Sequence, residues 1–286
     1  MTSAADDGIK CIYCKCTEFT EDQNLGSRWA KCRNCGVSQP VECKDISIRG
    51  EMLYSHYEKY LGEGLASRFP KIEGADEVAF IRQHIEGPLD MKIIDLGTAA
   101  GDFLPSLREL GHDIMGIDKF RPYAAYGEKH ALPIHHTSIE ELLEEGSANS
   151  VDLISIREAI YYVDDLKLFF ENVKKLLKPG GHLYIKTGVA DSFYYRFMRG
   201  DAHKRVGEFA TLMLDPQVLK GILVKEGFSV VAVRKIGLNS NIVVFGYDLA
   251  RGNAFVRFCG KCINAVFRKL TVITNTADRV CILARI

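Results

Sequence analysis

The stretch KIIDLGTAAGDFLPSLREL, residues 92–110, reads as a short buried strand, a turn holding two glycines, and a helix expected to begin near Asp102. Asp95 falls at the end of the strand. Gly97 and Gly101 remove Cβ atoms where a ligand must approach the backbone, and a helix amino end supplies unsatisfied N–H groups. The next strand, HDIMGID at 112–118, ends in Asp118, twenty-three residues after Asp95, where a carboxylate can accept both hydroxyls of a ribose. Glycines at i and i+4 depart from the dinucleotide fingerprint G-x-G-x-x-G. Asp95 would also repel a pyrophosphate while suiting a ligand that carries positive charge.

Outward from this turn the chain alternates strand-like and helix-like runs: SIEELLEEG (138–146), VDLISI (151–156), DLKLFFENVKKLLKPGG (165–181) and HLYIKTG (182–188). Such alternation calls for a parallel sheet with helices on both faces, an α/β, Rossmann-like fold. Asp215-Pro216 opens a further helix with an acid at the N-cap and a proline at N1, and Gly227 closes it. FSVVAVRKI (228–236) and RVCILARI (279–286) read as the last strands. Between them Arg251–Leu270 mixes Phe255, Phe258, Val266 and Leu270 with Arg251, Arg257, Lys261, Arg268 and Lys269, and holds no acid. A basic amphipathic helix of this kind can pack on the sheet, lid a cleft, or rest peripherally on an anionic membrane.

Composition narrows the class. The 286 residues are 47% hydrophobic and 26% charged, which excludes disorder, collagen and coiled coil. Lys+Arg and Asp+Glu both number 37, so no global field draws the molecule onto a polyanion, and nucleic acid is a disfavoured partner. No apolar run approaches the ~18 residues of a membrane span, and MTSAADDGIK lacks the pattern of a signal peptide, so a cytoplasmic location is expected.

Six of the nine cysteines fall within residues 11–43. Cys11-x-x-Cys14 and Cys32-x-x-Cys35 are separated by seventeen residues, the spacing of a four-thiolate zinc site. A filled sulfur shell leaves no place for water, so the zinc is expected to be structural, stapling a ribbon too short for a core of its own. Cys16 and Cys43 are spare, and Cys16 is an alternative to Cys14. The expected organisation is a tail at 1–9, a zinc ribbon at 10–44, a helical connection at 45–88 with Tyr54, Tyr57 and Tyr60 on one face, and an α/β domain at 89–286.

These residues resemble the class I S-adenosylmethionine-dependent methyltransferases. Asp95-Leu-Gly97-Thr-Ala-Ala-Gly101 is similar to their first motif, Asp118 to their ribose-binding acid, and Val151–Thr187 to their fourth strand, following helix and LKPGG turn into strand five. The front end, with RCRNCG leading through YSHYEKYLGE, resembles a zinc-ribbon subgroup that often modifies sugars and other small metabolites. The resemblance implies a seven-stranded, mostly parallel sheet with the last strand inserted antiparallel, and S-adenosyl-L-methionine as cofactor. Gly97, Thr98 and Gly101 would flank its methionine part, Asp95 its amino group, Asp118 its ribose, and Ile139 and Glu140 its adenine. Arg157 and Glu158 would face the methyl group. Many relatives carry an acid–His pair where this chain has Tyr161-Tyr162. A different base must then act, or none is needed. Tyr162 is the first candidate, followed by Tyr161 and Glu158, with His56, His182 and Lys186 also near the expected mouth.

The expected reaction is methylation of a small molecule: a sugar, a glycan intermediate or a lipid-linked precursor. Two readings compete. An RNA or protein methyltransferase would grip its substrate with the ribbon and needs a basic face joining Arg28, Lys31, Arg33 and the 251–270 helix. A non-enzymatic adaptor would share the fold, against which Asp95, Gly97, Gly101 and Asp118 argue.

Overall fold

The computed structural model of the protein describes residues 9–23, 25–42, 71–86, 90–111, 113–192, 210–237, 243–244, 247–248, 266, 269–274 and 277–286. Tyr54, His56, Tyr57, Tyr60, Cys43, Cys259, Cys262 and most of the basic stretch 251–270 lie outside them. Among the described residues no helix is long and apolar enough to cross a membrane.

Strands β1 (Phe19–Asp22), β2 (Gly26–Cys32) and β3 (Ser38–Pro40) form an antiparallel ribbon. Helix α1 (Lys71–His84) precedes β4 (Lys92–Leu96), α2 (Leu104–Leu107), β5 (Asp113–Asp118), α3 (Arg121–His130) and β6 (Ile134–His136). Then follow α4 (Ile139–Glu144), β7 (Val151–Arg157), α5 (Leu166–Leu176), β8 (Leu177–Gly188), α6 (Pro216–Lys225) and β9 (Ser229–Ile236). A short antiparallel pair, β10 (Val243–Val244) and β11 (Tyr247–Asp248), comes before β12 (Arg279–Arg285).

The main sheet has the order β6-β5-β4-β7-β8-β12-β9, and β12 runs antiparallel to both its neighbours while β6, β5, β4, β7 and β8 pair in parallel. This is the expected doubly wound α/β sheet with its last strand inserted in reverse. Local chemistry explains the elements. Ser138 and Glu141 close a capping box at the start of α4, and Asp165 accepts the Lys167 and Leu168 N–H groups at the start of α5. Leu166, Phe169, Phe170, Val173 and Leu176 then place one apolar stripe of α5 on the sheet.

The helix expected from Asp102 is shorter than its sequence suggests. Asp102 and Phe103 form a turn, and α2 is a single turn with Pro105 near its start. Proline removes a donor, and the neighbouring N–H groups close tighter i−3 bonds, Ser106 to Phe103 at 3.0 Å and Leu110 to Leu107 at 2.8 Å. The LKPGG segment, read as a turn, already belongs to β8, with Gly180 at φ +79° and a register shift opposite Val151–Leu153.

Each face of the sheet has its own core. Val78 and Ile81 of α1, Phe103, Leu104 and Leu107 pack with Ile93, Leu153 and Tyr184 on one face. On the other, α4, α5 and α6 pack with Ile94, Ile154, Ile185 and Ile282, and Cys11, Tyr13, Cys32 and Val37 of the ribbon join the same cluster. The ribbon is therefore no free appendage. Its Ser38 exchanges backbone hydrogen bonds with Met213 (3.1 and 2.7 Å), Lys31 pairs with Asp215 at 2.6 Å, and the Tyr13 hydroxyl donates to Glu226 at 2.9 Å.

Candidate active site

Because β4 to β8 are parallel, their carboxyl ends share one edge, and the turns after β4 and β7 meet there. Gly97 (φ +66°), Ala99 (φ +48°) and Gly101 (φ +71°) are left-handed, so the backbone of the turn folds tightly on itself. A Cβ on Gly97 would stand 2.7 Å from Ala159 Cβ, and one on Gly101 would stand 2.9 Å from Ile134 Cδ1. Any side chain at either position collides with a neighbour.

Asp95 is held from two sides. Ser155 Oγ–H and Thr98 Oγ1–H donate to its two oxygens at 2.5 and 2.8 Å. Only 3% of Asp95 is exposed, and burial pushes its carboxyl up to about 6 against the pull of the hydroxyls and of Arg157. Thr98 is thereby turned inward, over Gly116, where a Cβ would meet Thr98 Cγ2 at 2.7 Å.

Asp118, at the end of β5, accepts the Ala99 N–H on Oδ2 at 3.0 Å and the Phe120 N–H on Oδ1 at 2.9 Å. Burial raises its pKa, and these two N–H bonds oppose the shift. The carboxylate ties the glycine turn to the start of α3, and each oxygen keeps a second lone pair for a ligand. Ile139 is buried in the core at the head of α4, whereas Glu140 accepts from Asn172 Nδ2 at 3.1 Å and lies 4.0 Å from Lys119.

Past β7 the candidates divide. Arg157 turns to Glu77 of α1, donating through Nε and Nη2 at 2.8 and 3.1 Å, with Asp102 3.5 Å from Nη1 and the Phe103 ring 4.1 Å beneath the guanidinium. Glu158 has φ +51° and donates its N–H to the Lys186 carbonyl. Its Oε2 accepts the Tyr161 hydroxyl at 3.4 Å, and its Oε1 pairs with Arg279 Nε at 2.6 Å. Tyr161 and Tyr162 stand edge to face, 4.6 Å between centroids, in the 3₁₀ turn Ile160–Tyr162. Tyr161 also packs on a cluster formed by Leu25, Trp29, Ala190, Ala210 and Met213, so the ribbon reaches this turn. Lys186 is in register with Arg157, whereas His182 is in register with Leu153, four residues or about 13 Å back along the strand, away from this edge.

Sequence reasoning missed Ser155 and Glu77. Ser155 left a signal: it is the one hydroxyl inside VDLISI and shares a sheet face with Arg157 two residues on. Glu77 lies one helical turn from Phe80 and Ile81, on the apolar side of α1. It is 1% exposed and also takes Lys186 Nζ at 2.6 Å and the Tyr184 hydroxyl at 2.9 Å. Burial alone would raise its pKa, but Arg157 and Lys186 outweigh that and hold it below the ordinary value.

The ribbon gathers Cys11, Cys14, Cys32 and Cys35 so that their sulfurs all lie within 4.8 Å of one another, with Cys11–Cys35 at 3.4 Å and Cys14–Cys32 at 3.5 Å. A tetrahedral ion with ~2.3 Å metal–sulfur bonds needs sulfurs about 3.8 Å apart. The two Cys-x-x-Cys turns are built alike: Lys15 (φ +60°) and Gly36 (φ +77°) each donate an N–H to the carbonyl of the first cysteine at 2.9 Å. The donor set therefore fits zinc. Cys16 stands outside this group and accepts the Glu18 N–H, and among the described residues no other such cluster forms around His135 and His136.

A sheet of this order, with a left-handed glycine turn after its first parallel strand and a carboxylate closing the second, defines a methyltransferase fold. The chain belongs to the Methyltransferase domain family, whose sequence pattern matches residues 65–233. Among solved structures it is similar to an S-adenosylmethionine-dependent methyltransferase from Archaeoglobus fulgidus, with a TM-score of 0.54 and 16% identity over 82% of this chain and 99% of that one. It is also similar to the 1,6-didemethyltoxoflavin-N1-methyltransferase of Burkholderia thailandensis, with a TM-score of 0.54 and 12% identity over 89% and 97% of the two chains. Both likenesses concern the fold. Ubiquinone biosynthesis O-methyltransferases are relatives in sequence. That of Pectobacterium atrosepticum is 27% identical over 146 residues, 46% of this chain and 61% of the relative. The mitochondrial one of Rattus norvegicus is 27% identical over 190 residues, 59% and 52%. The chain thus spans between half and two thirds of the length of these relatives.

Proposed function

We propose that the protein transfers a methyl group from S-adenosylmethionine to a hydroxyl of a small-molecule acceptor, a sugar or a lipid-linked precursor. The observation that carries this reading is the Asp118 carboxylate bonded to Ala99 N–H, which puts an acid with further lone pairs at the strand end beside the left-handed glycine turn. A small-molecule oxygen acceptor is supported by relatives named ubiquinone biosynthesis O-methyltransferases, and the sugar or lipid-linked class extends the resemblance of the front end to the zinc-ribbon subgroup.

S-adenosylmethionine supplies, when bound, a methyl carbon activated by a sulfonium. The chain contributes alignment, charge and proton acceptance. Asp118 takes the ribose hydroxyls, Ile139 and Glu140 border the adenine, and Gly97, Thr98 and Gly101 shape the methionine end under the negative charge of Asp95. For the proton of the acceptor hydroxyl, a carboxylate is a stronger base at neutral pH than a phenol. Glu158 therefore accepts it, and Tyr161 and Tyr162 orient the acceptor. Cys11, Cys14, Cys32 and Cys35 would hold a zinc ion that orders the ribbon internally, and the ribbon's Trp29 packs in one cluster with Tyr161. In the macromolecular reading the ribbon supplies a basic grip, but Lys31 is already paired with Asp215.

The test is incubation of the purified protein with S-adenosylmethionine and small-molecule extracts, scored by mass spectrometry. The reading expects a hydroxylated metabolite to gain one methyl. Methylation confined to added RNA or protein would replace it.

A further inference from the structure

We propose that Glu77 is a positioning residue that sets the charge of the methyl-donor end of the site, holding Arg157 and Lys186 as paired cations so that a sulfonium is not repelled. The inference rests on the reading of this edge as the S-adenosylmethionine site. Glu77 comes from α1, outside the sheet, yet its carboxylate is the junction of the sheet's carboxyl edge. It takes Arg157 through two N–H bonds, Lys186 at 2.6 Å and Tyr184 at 2.9 Å.

Registry places this junction beside the glycine turn. Asp95, Ser155 and Tyr184 are neighbours across β4, β7 and β8, and Arg157, Lys186 and Cys281 are neighbours one step nearer the edge. All six share one sheet face, because residues two apart in a strand point the same way. Arg157 continues from Glu77 to Asp102, the residue after Gly101, and its charge reaches Asp95. Toward the carboxyl edge the same parity also places Arg234, Arg279 and Asp118 on this face: Arg234 donates to the Asp76 carbonyl and covers the Phe80 ring, Arg279 is paired with Glu158 at 2.6 Å, and Asp118 accepts the Ala99 and Phe120 N–H groups.

The charges explain why an acid is needed here. Two buried cations beside a cationic methyl donor would oppose its binding, and arginine cannot shed its proton. Glu77 and Asp102 offset them, leaving Asp95 as the surplus negative charge. Removing Glu77 while keeping its shape adds one net positive charge. A unit charge at ~10 Å with an effective dielectric of ~20 changes binding by about tenfold. The change falls on S-adenosylmethionine, which carries the sulfonium, and spares S-adenosylhomocysteine, whose sulfur is neutral.

The experiment is calorimetry of both nucleosides with the full chain and its Glu77→Gln, Glu77→Asp and Lys186→Met variants. Glu77→Gln is expected to weaken S-adenosylmethionine about tenfold relative to S-adenosylhomocysteine, Glu77→Asp to restore the ratio, and Lys186→Met to move it the opposite way. Equal weakening of both nucleosides in Glu77→Gln, as loss of packing alone would give, overturns the proposal. Should Glu77→Gln fail to fold, an unchanged ratio in Lys186→Met overturns it equally. A wild-type chain that binds neither nucleoside brings down the reading of the site itself.

Discussion

The Glu77 carboxylate grips the Arg157 guanidinium side-on, Nε to Oε2 at 2.8 Å and Nη2 to Oε1 at 3.1 Å, and so fastens α1 to the end of β7. The Glu77 side chain is almost wholly out of water, and that of Arg157 is 15% exposed. Breaking a buried pair from one side leaves the other charge uncompensated, at a cost of about 3–5 kcal/mol. Glu77→Ala is expected to lower stability by that amount in urea unfolding. The pH dependence has a definite sign. The folded carboxyl lies below its ordinary value of 4.5, so its contribution is present above that pH and lost as the medium is acidified. Wild type should lose stability below pH 4.5 more steeply than Glu77→Gln.

Asp95 behaves in the opposite sense. Its carboxyl is raised from 3.8 to about 6, so it favours folding most when protonated and that contribution fades as pH rises from about 4 to 6. A cationic ligand needs the ionised form. Affinity for S-adenosylmethionine is therefore expected to increase as pH rises through about 6, and titrations of Asp95→Asn should show a flat profile over the same range.

Metal at the four-cysteine site is expected at about one zinc per chain by elemental analysis. Because Cys11 and Cys32 belong to the core shared with α5 and α6, its loss in Cys35→Ser should lower Tm of the whole chain, by roughly 10 °C if several kcal/mol are lost. Wild-type melting in the variant would show that the sulfurs hold no structural ion.

Glu158→Gln and Tyr162→Phe separate the candidate bases by steady-state kinetics. The first is expected to reduce kcat by about 10²-fold or more with S-adenosylhomocysteine affinity within about twofold, and the second to reduce it far less. The reverse ranking would move the proton to Tyr162.

The doubly wound sheet was legible because several of its elements carry a period or a cap, as in the capping box of Ser138 and Glu141 or the stripe from Leu166 to Leu176, whereas α3 and β6, without a side-chain cap or a long apolar run, left no comparable signal. The glycine turn and Asp118 were legible because positive φ and a strand-end acid leave local signatures. The Glu77 junction left only a faint one, since its partners Arg157, Tyr184 and Lys186 are 80, 107 and 109 residues away and spacing carries no trace of such contacts. The same distance hid the docking of the ribbon, which depends on Tyr13 meeting Glu226. The one-turn length of α2 was hidden differently: Pro105 is acceptable early in a helix, and only the i−3 bonds around it show that the helix does not continue.

The account turns on a nucleoside being held where β4 and β5 end. Calorimetric titration of S-adenosylhomocysteine into wild type and Asp118→Ala measures this most directly. Binding by the wild type that weakens at least tenfold in the variant is the predicted result; equal binding by the two proteins would contradict it.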